Sequence, residues 1–341
     1  MPAKSHYVRN DALPTIRRNY PGNLMFGNQF ANGDALYTPQ FSDVFRWKLL
    51  TKNPQANEKK QDTWVPAVQP CAELLRQQPD DTLIWLGHAT FWLRMGGVAL
   101  LFDPLLFDSP FLRHRHPLPC TPQDLTDLNY ILLSHGHRDH LDEKSLKLLA
   151  NQNPQAQVLG PLRASKVLRG LTGKLPVQEA GWWQQFDLGP NAALEIFYLP
   201  ARHWHRRGVG DLNTVLWGSF LIREVATGRT VYFCGDSAEG PHFYEIEEQF
   251  GPLDVVLMPI GAYKPAFMMR LSHMNPNETA KATNQLRAGH LVPMHFGTFD
   301  LSDEPASEPI RLLEQIAAEG WLSARLHTPA VGQPLSLADL E

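Results

Sequence analysis

The amino-acid sequence predicts an α/β (α+β) protein in which layered β-sheets carry helices on their outer faces. Two observations point to this fold. Short apolar segments separated by turn residues recur from Leu83 onward, and segments with helical spacing lie between and after them. The chain has 341 residues, of which 43% are hydrophobic and 19% charged, so it is long enough to bury a large core.

The clearest strand prediction is a hairpin. The segments TFWLRM and VALLFD flank Gly96 and Gly97, a pair that readily adopts the positive φ of a two-residue turn. The other predicted strands are TLIWLGH, NYILLS, LEIFYLP, VLWGSFLIRE, RTVYFCGD, DVVLMPIG and HLVPMHF. Helices are predicted in DEKSLKLLA and at residues 277–288 and 308–319, where apolar positions follow the helical period.

Residues 1–78 differ in composition from the rest of the chain. They are rich in Asn, Gln, Pro and aromatic residues and lack a sustained hydrophobic period, so we expect an irregular N-terminal arm packed on a core of residues 79–341. No uncharged apolar run reaches the roughly 18 residues that span a membrane, and the N-terminus lacks the apolar segment of a signal peptide. We therefore expect a cytoplasmic protein whose only membrane contact would be peripheral.

Charge and cysteine content exclude several classes of protein. The chain has 31 basic and 35 acidic residues, so we expect no nucleic-acid partner held mainly through phosphates. Its three cysteines, Cys71, Cys120 and Cys234, are widely spaced and odd in number, so the sequence predicts neither a disulfide framework nor a Cys-based metal site. The oligomeric state stays open.

The segment LSHGHRDHLD, residues 133–142, brings three histidines and an aspartate close together in sequence. His135 and His137 are two residues apart at the end of a predicted strand, so their imidazoles project to one side of extended backbone. Asp139 and His140 follow at the turn into the predicted helix. Imidazole and carboxylate are ligands for Zn²⁺ and related divalent ions, so the segment predicts a metal site.

Three more candidate ligands follow the ends of later predicted strands. His203 comes after LEIFYLP, Asp236 comes after RTVYF, and His295 lies in HLVPMHF. Strand ends hold side chains on rigid backbone while the adjoining loops shape a pocket, so this placement is typical of an active site.

With these motifs the sequence resembles the metallo-β-lactamase superfamily and, within it, the branch of N-acyl-phosphatidylethanolamine-hydrolysing phospholipase D. The matching stretches lie within roughly residues 83–300 and are WLGHATFWL, FDP, LSHGHRDHLD, GWW, HWHRRGVGDLNTVLWGSF, FCGDS, PIGAYKP, SHMNP and HFGTF. The resemblance implies an αββα sandwich of two mixed sheets flanked by helices, with residues 79–341 as the hydrolase domain.

The resemblance also implies a binuclear metal centre with two Zn²⁺ per chain, although manganese and iron ions suit the same ligands. Asp236 is implied to bridge the two ions. The other implied ligands divide between the ions: His135, His137 and His203 on one, and Asp139, His140 and His295 on the other.

Two metal ions about 3.5–4 Å apart lower the pKa of a shared water and stabilise charge on the attacked and leaving oxygens. A metal-bound hydroxide would then attack a phosphodiester, as in a phospholipase D, and neither Ser134 nor Cys234 is needed as a nucleophile. The same hydroxide attacks a carbonyl, so a lactonase or other ester hydrolase is the second interpretation. The third is a metal-binding or sensing protein without turnover.

Catalytic and substrate-binding residues are also predicted. We interpret Asp139 and His273 as catalytic, and the resemblance places His273 of SHMNP in the substrate site. Arg206, Phe267 and Met268 are the other expected contacts for a small-molecule or lipid substrate. A cation beside the metal ions attracts phosphate, and flexible apolar side chains suit acyl chains.

Two places depart from the pattern of the phospholipase branch. Gly136 and Arg138 stand where that branch commonly has Asn and Tyr, and FLRHRHPLPC at residues 111–120 fits it poorly. Both places lie near the expected metal ions or their entrance. We interpret His116 in the second place as a surface-loop residue, and His88 either as a residue that orients a ligand or as a structural partner in the hairpin.

Overall fold

Two mixed β-sheets form the centre of the molecule. The computed structural model of the chain describes residues 4–33, 46–110 and 112–340. In chain order, its strands are β1 (Ser5–Val8), β2 (Asn23–Phe26), β3 (Gln29–Phe30), β4 (Thr82–Gly87), β5 (Thr90–Met95), β6 (Val98–Phe102), β7 (Tyr130–Leu132), β8 (Gln157–Pro161), β9 (Val177–Ala180), β10 (Gln184–Gln185), β11 (Leu194–Leu199), β12 (Ser219–Glu224), β13 (Thr230–Phe233), β14 (Val255–Pro259), β15 (His290–Met294), β16 (Arg325–Leu326) and β17 (Pro334–Ser336).

The helices include every one that the sequence predicts. In chain order, they are α1 (Ala56–Gln61), α2 (Ala72–Gln77), α3 (Glu143–Gln152), α4 (Ser165–Leu168), α5 (His242–Phe250), α6 (Ala266–Met269), α7 (Pro276–Gln285) and α8 (Glu308–Ala318), with a π-helical turn at Arg46–Leu50 and 3₁₀ turns at Pro122–Asp124 and Ala338–Leu340. Helices α3, α7 and α8 confirm the sequence predictions. None of the described helices is both long and apolar enough to cross a membrane.

Each large sheet changes from antiparallel to parallel pairing at its middle. The strand order is β17-β4-β5-β6-β7-β8-β9 in the first sheet and β10-β11-β12-β13-β14-β15-β16 in the second. In both, the first three neighbouring pairs are antiparallel and the last three are parallel. The carboxyl ends of β6 and β7 therefore meet at one edge, as do those of β13, β14 and β15.

The predicted hairpin is confirmed, and it belongs to the first sheet. Gly96 and Gly97 have φ values of 59° and 76° and join β5 to β6 in antiparallel register. Most two-residue turns of this kind need positive φ at both central positions, which glycine adopts without steric cost.

Aromatic side chains join the two sheets beneath the strand ends. Phe102 at the end of β6 and Phe233 at the end of β13 are fully buried, and their ring centroids lie 4.8 Å apart. Burial of a side chain of this size contributes roughly 1.5–3 kcal/mol. The loops that begin with Asp103 and Cys234 therefore start from a packed core.

The N-terminal arm contributes a small sheet that packs on the core. Strands β1, β2 and β3 pair in antiparallel fashion, although the sequence shows no strand period there. The backbone N–H of Phe30 donates to the carbonyl of Asn213 at 2.7 Å, which attaches the arm to the core. Residues 1–3 and 34–45 of the predicted arm lie outside the described residues, and its boundary at residue 78 stays a prediction.

Candidate metal centre

The HxHxDH segment forms the loop between β7 and α3. It leaves the buried strand β7, and it ends where Asp142 caps α3 by accepting a hydrogen bond from the N–H of Ser145 at 2.8 Å. Such a cap contributes about 1 kcal/mol to helix stability. The loop is therefore fixed by regular structure at both ends.

The structure brings all the sequence-predicted ligands together at the edge where the parallel strands end. They form two groups in which the ligand atoms lie within 4.8 Å of one another: His135, His137, His203 and Asp236 in the first group, and His88, Asp139, His140 and His295 in the second. The division follows the one that the resemblance implies, with His88 added.

The first group contains three imidazoles, of which those of His135 and His203 are buried and that of His137 is half-buried. Nε2 of His135 and Nε2 of His203 each lie 3.0 Å from Nδ1 of His137. Burial lowers the pKa of all three rings, well below the usual value for His135 and His137 and to about 4 for His203. The three rings are therefore neutral at pH 7.

Outer hydrogen bonds fix the tautomers of two of these rings. The Ser134 hydroxyl donates to Asp103, so it must accept the hydrogen bond from Nδ1 of His135 at 2.9 Å. Nδ1 of His203 donates to the Ser272 carbonyl at 2.9 Å. A neutral imidazole has one N–H, so both rings turn an Nε2 lone pair towards His137, as a metal ligand must.

The second group combines a carboxylate with two imidazoles that carry charge. Oδ2 of Asp139 lies 3.7 Å from Nε2 of His140 and 3.5 Å from Nε2 of His295. Burial would lower the pKa of His295, but Asp236 and Asp139 raise it to about 9. The same two carboxylates outweigh burial at His140 and raise its pKa well above the usual value. Both imidazoles are therefore protonated at pH 7 when no metal ion is bound.

Asp236 lies between the two groups. Its Oδ2 is 3.7 Å from Nε2 of His203 and 3.2 Å from Nε2 of His140, and its Oδ1 is 3.2 Å from Nε2 of His295. Burial alone would raise the pKa of Asp236, but His140 and His295 hold it well below its usual value. One ionised, buried carboxylate thus contacts both groups.

Asp103 supports both groups from behind. Its fully buried carboxylate accepts hydrogen bonds from Nδ1 of His140 at 2.7 Å and from the backbone N–H and the hydroxyl of Ser134. It therefore orients His140 directly and His135 through Ser134. No role was predicted for Asp103, although its position after β6, beside the end of β7, is a signal of the same kind as that of the candidate ligands.

The segment that follows His203 explains the two departures in the HxHxDH loop. A Cβ at Gly136 would lie 2.3 Å from Cε1 of His205, so no larger residue fits at this position. Arg207 donates to the carbonyls of Gly136 at 3.0 Å and Leu141 at 2.9 Å, and the exposed Arg138 donates to the carbonyl of Arg207. Arg207 is therefore a support of the loop.

His88 contacts the second group, which favours its interpretation as an orienting residue. Its Nε2 lies 3.3 Å from Oδ2 of Asp139. Its backbone N–H donates to Oγ1 of Thr298, which also lies 3.2 Å from Nε2 of His116. His116 is 5% exposed, so the surface interpretation is wrong for this residue. Phe111 of the same loop lies outside the described residues.

His273 lies beside the Asp236 carboxylate that contacts both groups. Its Nδ1 is 3.8 Å from Oδ2 of Asp236 and is buried without a hydrogen-bond partner. Burial lowers the pKa of His273 to about 3, so the ring is neutral at pH 7. The neutral ring of His273 can donate one hydrogen bond and accept one, but it carries no positive charge at pH 7.

The other expected substrate contacts lie on α6 and in the segment that follows His203. Phe267 and Met268 are half-buried on α6, the helix that precedes His273, and the Arg46 guanidinium lies 4.9 Å from the centroid of the Phe267 ring. Arg206 is half-buried, and its Nε donates to the carbonyl of Gly208 at 3.2 Å.

The donor set fits a divalent metal ion. Nε2 of His140, Nε2 of His295 and Oδ1 of Asp236 are buried and make no hydrogen bond of ordinary geometry. Once His140 and His295 have lost their protons, each such group without a partner costs about 1–3 kcal/mol, which a bound cation would offset. Imidazole nitrogen with carboxylate oxygen suits zinc, iron and manganese ions alike.

A family model described as the Beta-lactamase superfamily domain matches residues 99–296, which is more than half of the chain and includes every candidate ligand except His88. The chain belongs to this superfamily. It is a metal-dependent hydrolase of the β-lactamase fold, and the predicted α/β architecture with two mixed sheets and helices is confirmed.

Two relatives of this superfamily member are both named as N-acyl-phosphatidylethanolamine-hydrolyzing phospholipases D. N-acyl-phosphatidylethanolamine-hydrolyzing phospholipase D 1 of Caenorhabditis elegans is 29% identical over 85% of this chain and 88% of its own length. The mitochondrial protein of that name from Saccharomyces cerevisiae is 32% identical over 73% of this chain, which spans about half, 54%, of the yeast protein. A solved metallo hydrolase of Ignicoccus hospitalis shares the fold, with a TM-score of 0.57 at 20% identity over 74% of this chain and 97% of that one.

Proposed function

We propose that this superfamily member is a zinc-dependent phosphodiesterase of the phospholipase D type with a binuclear centre. The observation that carries the proposal is the position of Asp236, whose buried carboxylate reaches His203 on one side and His140 and His295 on the other. One carboxylate placed in this way can serve two ions. The resemblance to two proteins named as phospholipases D supports the substrate class.

Some side chains would hold the metal ions, and others would contact the attacking water or the substrate. Two bound cations would lower the pKa of a water molecule and neutralise charge on a phosphoryl oxygen. Asp139, whose side chain is 19% exposed, is positioned to accept a hydrogen bond from the attacking water while His88 and His295 fix its other contacts. His273 would donate a hydrogen bond to a phosphoryl oxygen, because its Nδ1 has no hydrogen-bond partner among the residues that the structure describes. The neutral state of His273 favours this role over proton donation by an imidazolium.

The position of α6 supports a lipid substrate. The N–H of His273 donates to the carbonyl of Met269 at 2.9 Å, so the helix that carries Phe267 and Met268 ends at the metal centre. The Ser272 carbonyl, between them in the chain, holds His203. Acyl chains lying along α6 would therefore place their phosphodiester close to the ions.

We also propose weak peripheral binding to a lipid surface. Leu49 and Leu50 in the π-helical turn are 68% and 71% exposed, Leu271 after α6 is 43% exposed, and Arg46 of the same turn contacts α6. Exposed leucines beside cations suit the interface of an anionic bilayer. Leu50→Glu should reduce co-sedimentation with anionic vesicles, whereas Val225→Glu, at a 58% exposed position in the β12–β13 turn, should not. Equal sedimentation of all forms with and without vesicles would contradict this.

The test of function is one assay panel on protein of measured metal content. Metal-depleted protein is reconstituted separately with zinc, manganese or iron ions. It is then incubated with bis(4-nitrophenyl) phosphate, an N-acylated phosphatidylethanolamine, a lactone and a β-lactam. We expect the zinc form to cleave both phosphodiesters. In ¹⁸O-labelled water the label should enter the phosphatidic acid, because water attacks phosphorus and the ethanolamine oxygen leaves.

Other results would select the other interpretations. Hydrolysis of the lactone without cleavage of either phosphodiester would make the protein an ester hydrolase. A fully metallated protein that turns over none of the four substrates would contradict the proposed activity and support a metal-binding role.

A further inference from the structure

A second cavity lies between the N-terminal arm and the core. Its volume is about 550 Å³, and none of the candidate metal ligands lines it. That volume is within the range of small-molecule sites. Its lining residues include Arg17, Tyr20, Trp183, Arg202 and His242.

One wall of this cavity contains a buried hydrogen-bond acceptor without a partner. The Ser237 hydroxyl donates to the Ala238 carbonyl, so it must accept from Nε2 of His242 at 3.1 Å. The neutral ring therefore has a lone pair on Nδ1. Within residues 4–33, 46–110 and 112–340, Nδ1 of His242 has no hydrogen-bond partner, although His242 is only 5% exposed. Such an acceptor costs about 1–3 kcal/mol unless a ligand or water donates to it.

A cation lies close to this acceptor. The Arg202 side chain runs past Gly240, because the place that a Cβ would take there is 2.4 Å from Cδ and 3.3 Å from Nη1 of Arg202. The same place is 3.1 Å from Nδ1 of His242, so the cation and the acceptor both lie next to Gly240. Within the described parts of the chain, Arg202 has no carboxylate at ion-pair distance, and its Nη1 donates only to the Glu239 carbonyl. The first turn of α5 also favours a negative charge here.

The rest of the cavity wall has aromatic side chains and an arginine whose charge is neutralised by a carboxylate. Arg17 pairs with Glu245 at 2.6 Å and lies 4.9 Å from the centroid of the Trp183 ring, so its charge has a partner. Trp183 is 1% exposed, and burial raises the pKa of the Tyr20 hydroxyl, which stays protonated. Tyr20 and Trp183 both line the cavity, and aromatic side chains in a cavity wall favour an aromatic ligand.

We propose that this cavity binds an aromatic 2-hydroxy acid. The carboxylate would pair with Arg202, the adjacent hydroxyl would donate to Nδ1 of His242, and the ring would pack between Tyr20 and Trp183. An amino acid of the same shape would fit less well, because its ammonium would lie beside the Arg202 guanidinium and be repelled.

Four related compounds test each part of this proposal by isothermal titration calorimetry. We expect 3-phenyllactate to bind about tenfold or more tightly than 3-phenylpropionate, which lacks the hydroxyl, than lactate, which lacks the ring, and than phenylalanine, which has the ammonium. Arg202→Met should weaken the binding of 3-phenyllactate by about tenfold or more. The matched control Arg169→Met changes an exposed arginine that does not line the cavity and should have no effect.

A carboxylate could also bind to a metal ion, so a second variant separates the two sites. Leu24 lines the cavity from the arm, and Leu24→Trp should fill it and abolish binding while zinc content and the circular dichroism spectrum stay unchanged. Equal binding to Leu24→Trp, to Arg202→Met and to the wild type would overturn the proposal, as would binding that disappears when zinc is removed. Equal affinity for all four compounds would also overturn it.

Discussion

The two halves of the metal centre are built from similar side chains but differ in charge. His135, His137 and His203 are neutral because burial lowers the pKa of each ring. In the other half, nearby carboxylates raise the pKa of His140 well above its usual value and that of His295 to about 9. The imidazoles of the first half therefore can bind an ion without first losing a proton. The second must release protons when it binds one.

The environment of an imidazole, and not its presence in a motif, therefore decides how much free energy its deprotonation costs when a metal ion binds. Asp139 stabilises protons on the second half, while the Ser272 carbonyl and the Ser134 hydroxyl fix neutral tautomers in the first. We therefore expect the first half to bind its ion more tightly below about pH 9, the pKa of His295.

The largest effect should come from the residue that the halves share. Asp236→Ala removes the carboxylate that contacts both groups, and we expect it to lose both ions and all measurable hydrolysis of bis(4-nitrophenyl) phosphate. Elemental analysis after gel filtration measures the ions. Asp187→Ala, at an exposed position, is the control and should keep both. An active Asp236→Ala protein with two ions would show that Asp236 is not a bridging ligand.

Single-ligand variants should separate the halves. His203→Ala and His295→Ala should each retain about one ion. The ion left in His203→Ala occupies the second half, so its affinity should rise with pH up to about pH 9, where His295 loses its proton. The ion left in His295→Ala occupies the first half and should bind almost independently of pH above about pH 6. Identical pH profiles for the two variants would contradict the difference in charge.

A smaller effect is expected from His273, which contacts Asp236 but is not needed in either ligand group. His273→Ala should keep two ions and the wild-type melting temperature while lowering kcat by roughly 10²-fold, the scale of one positioned hydrogen-bonding or proton-transferring group. An activated leaving group should not restore kcat if His273 stabilises a phosphoryl oxygen. Loss of an ion from this variant would instead make His273 a ligand, as its contact with Asp236 and His295 would allow.

The smallest effect should come from Asp103, which supports both halves without touching the ions. Asp103→Asn retains the size of the side chain but replaces one acceptor oxygen facing His140 and Ser134 by a donor. We expect zinc affinity to fall roughly 10–100-fold, with a greater loss in the second half, since His140 is bonded directly and His135 only through Ser134. Equal zinc affinity in the variant and the wild type, measured by competition with a chelator, would contradict this role.

The sequence was sufficient for the parts of the centre that depend on local pattern. His135, His137, Asp139 and His140 follow from their spacing after a strand, and the hairpin follows from Gly96 and Gly97. The remaining candidate ligands are spread between residues 203 and 295. They could be assigned to the same site only because the strand ends of one sandwich meet at one edge.

What the sequence could not provide depends on contacts between distant segments. The ring that lies too close to position 136 for a larger residue is that of His205, and the buried His116 contacts Thr298. The cavity at His242 forms only when the arm packs on the core. None of these contacts leaves a period or a spacing in the chain, and the charge of an imidazole depends on neighbours of the same long-range kind.

The most direct test is zinc occupancy as a function of pH, measured together with activity. Metal-depleted protein is equilibrated with a chelator that fixes the free zinc concentration, at about pH 6 and about pH 10, which lie below and above the pKa of about 9 that His295 has in the second half. We predict close to two ions per chain at the higher pH and close to one at the lower, with phosphodiester hydrolysis following the second ion. Loss of both ions together, or full activity with a single ion at both pH values, would contradict a bridged centre whose two halves differ in charge.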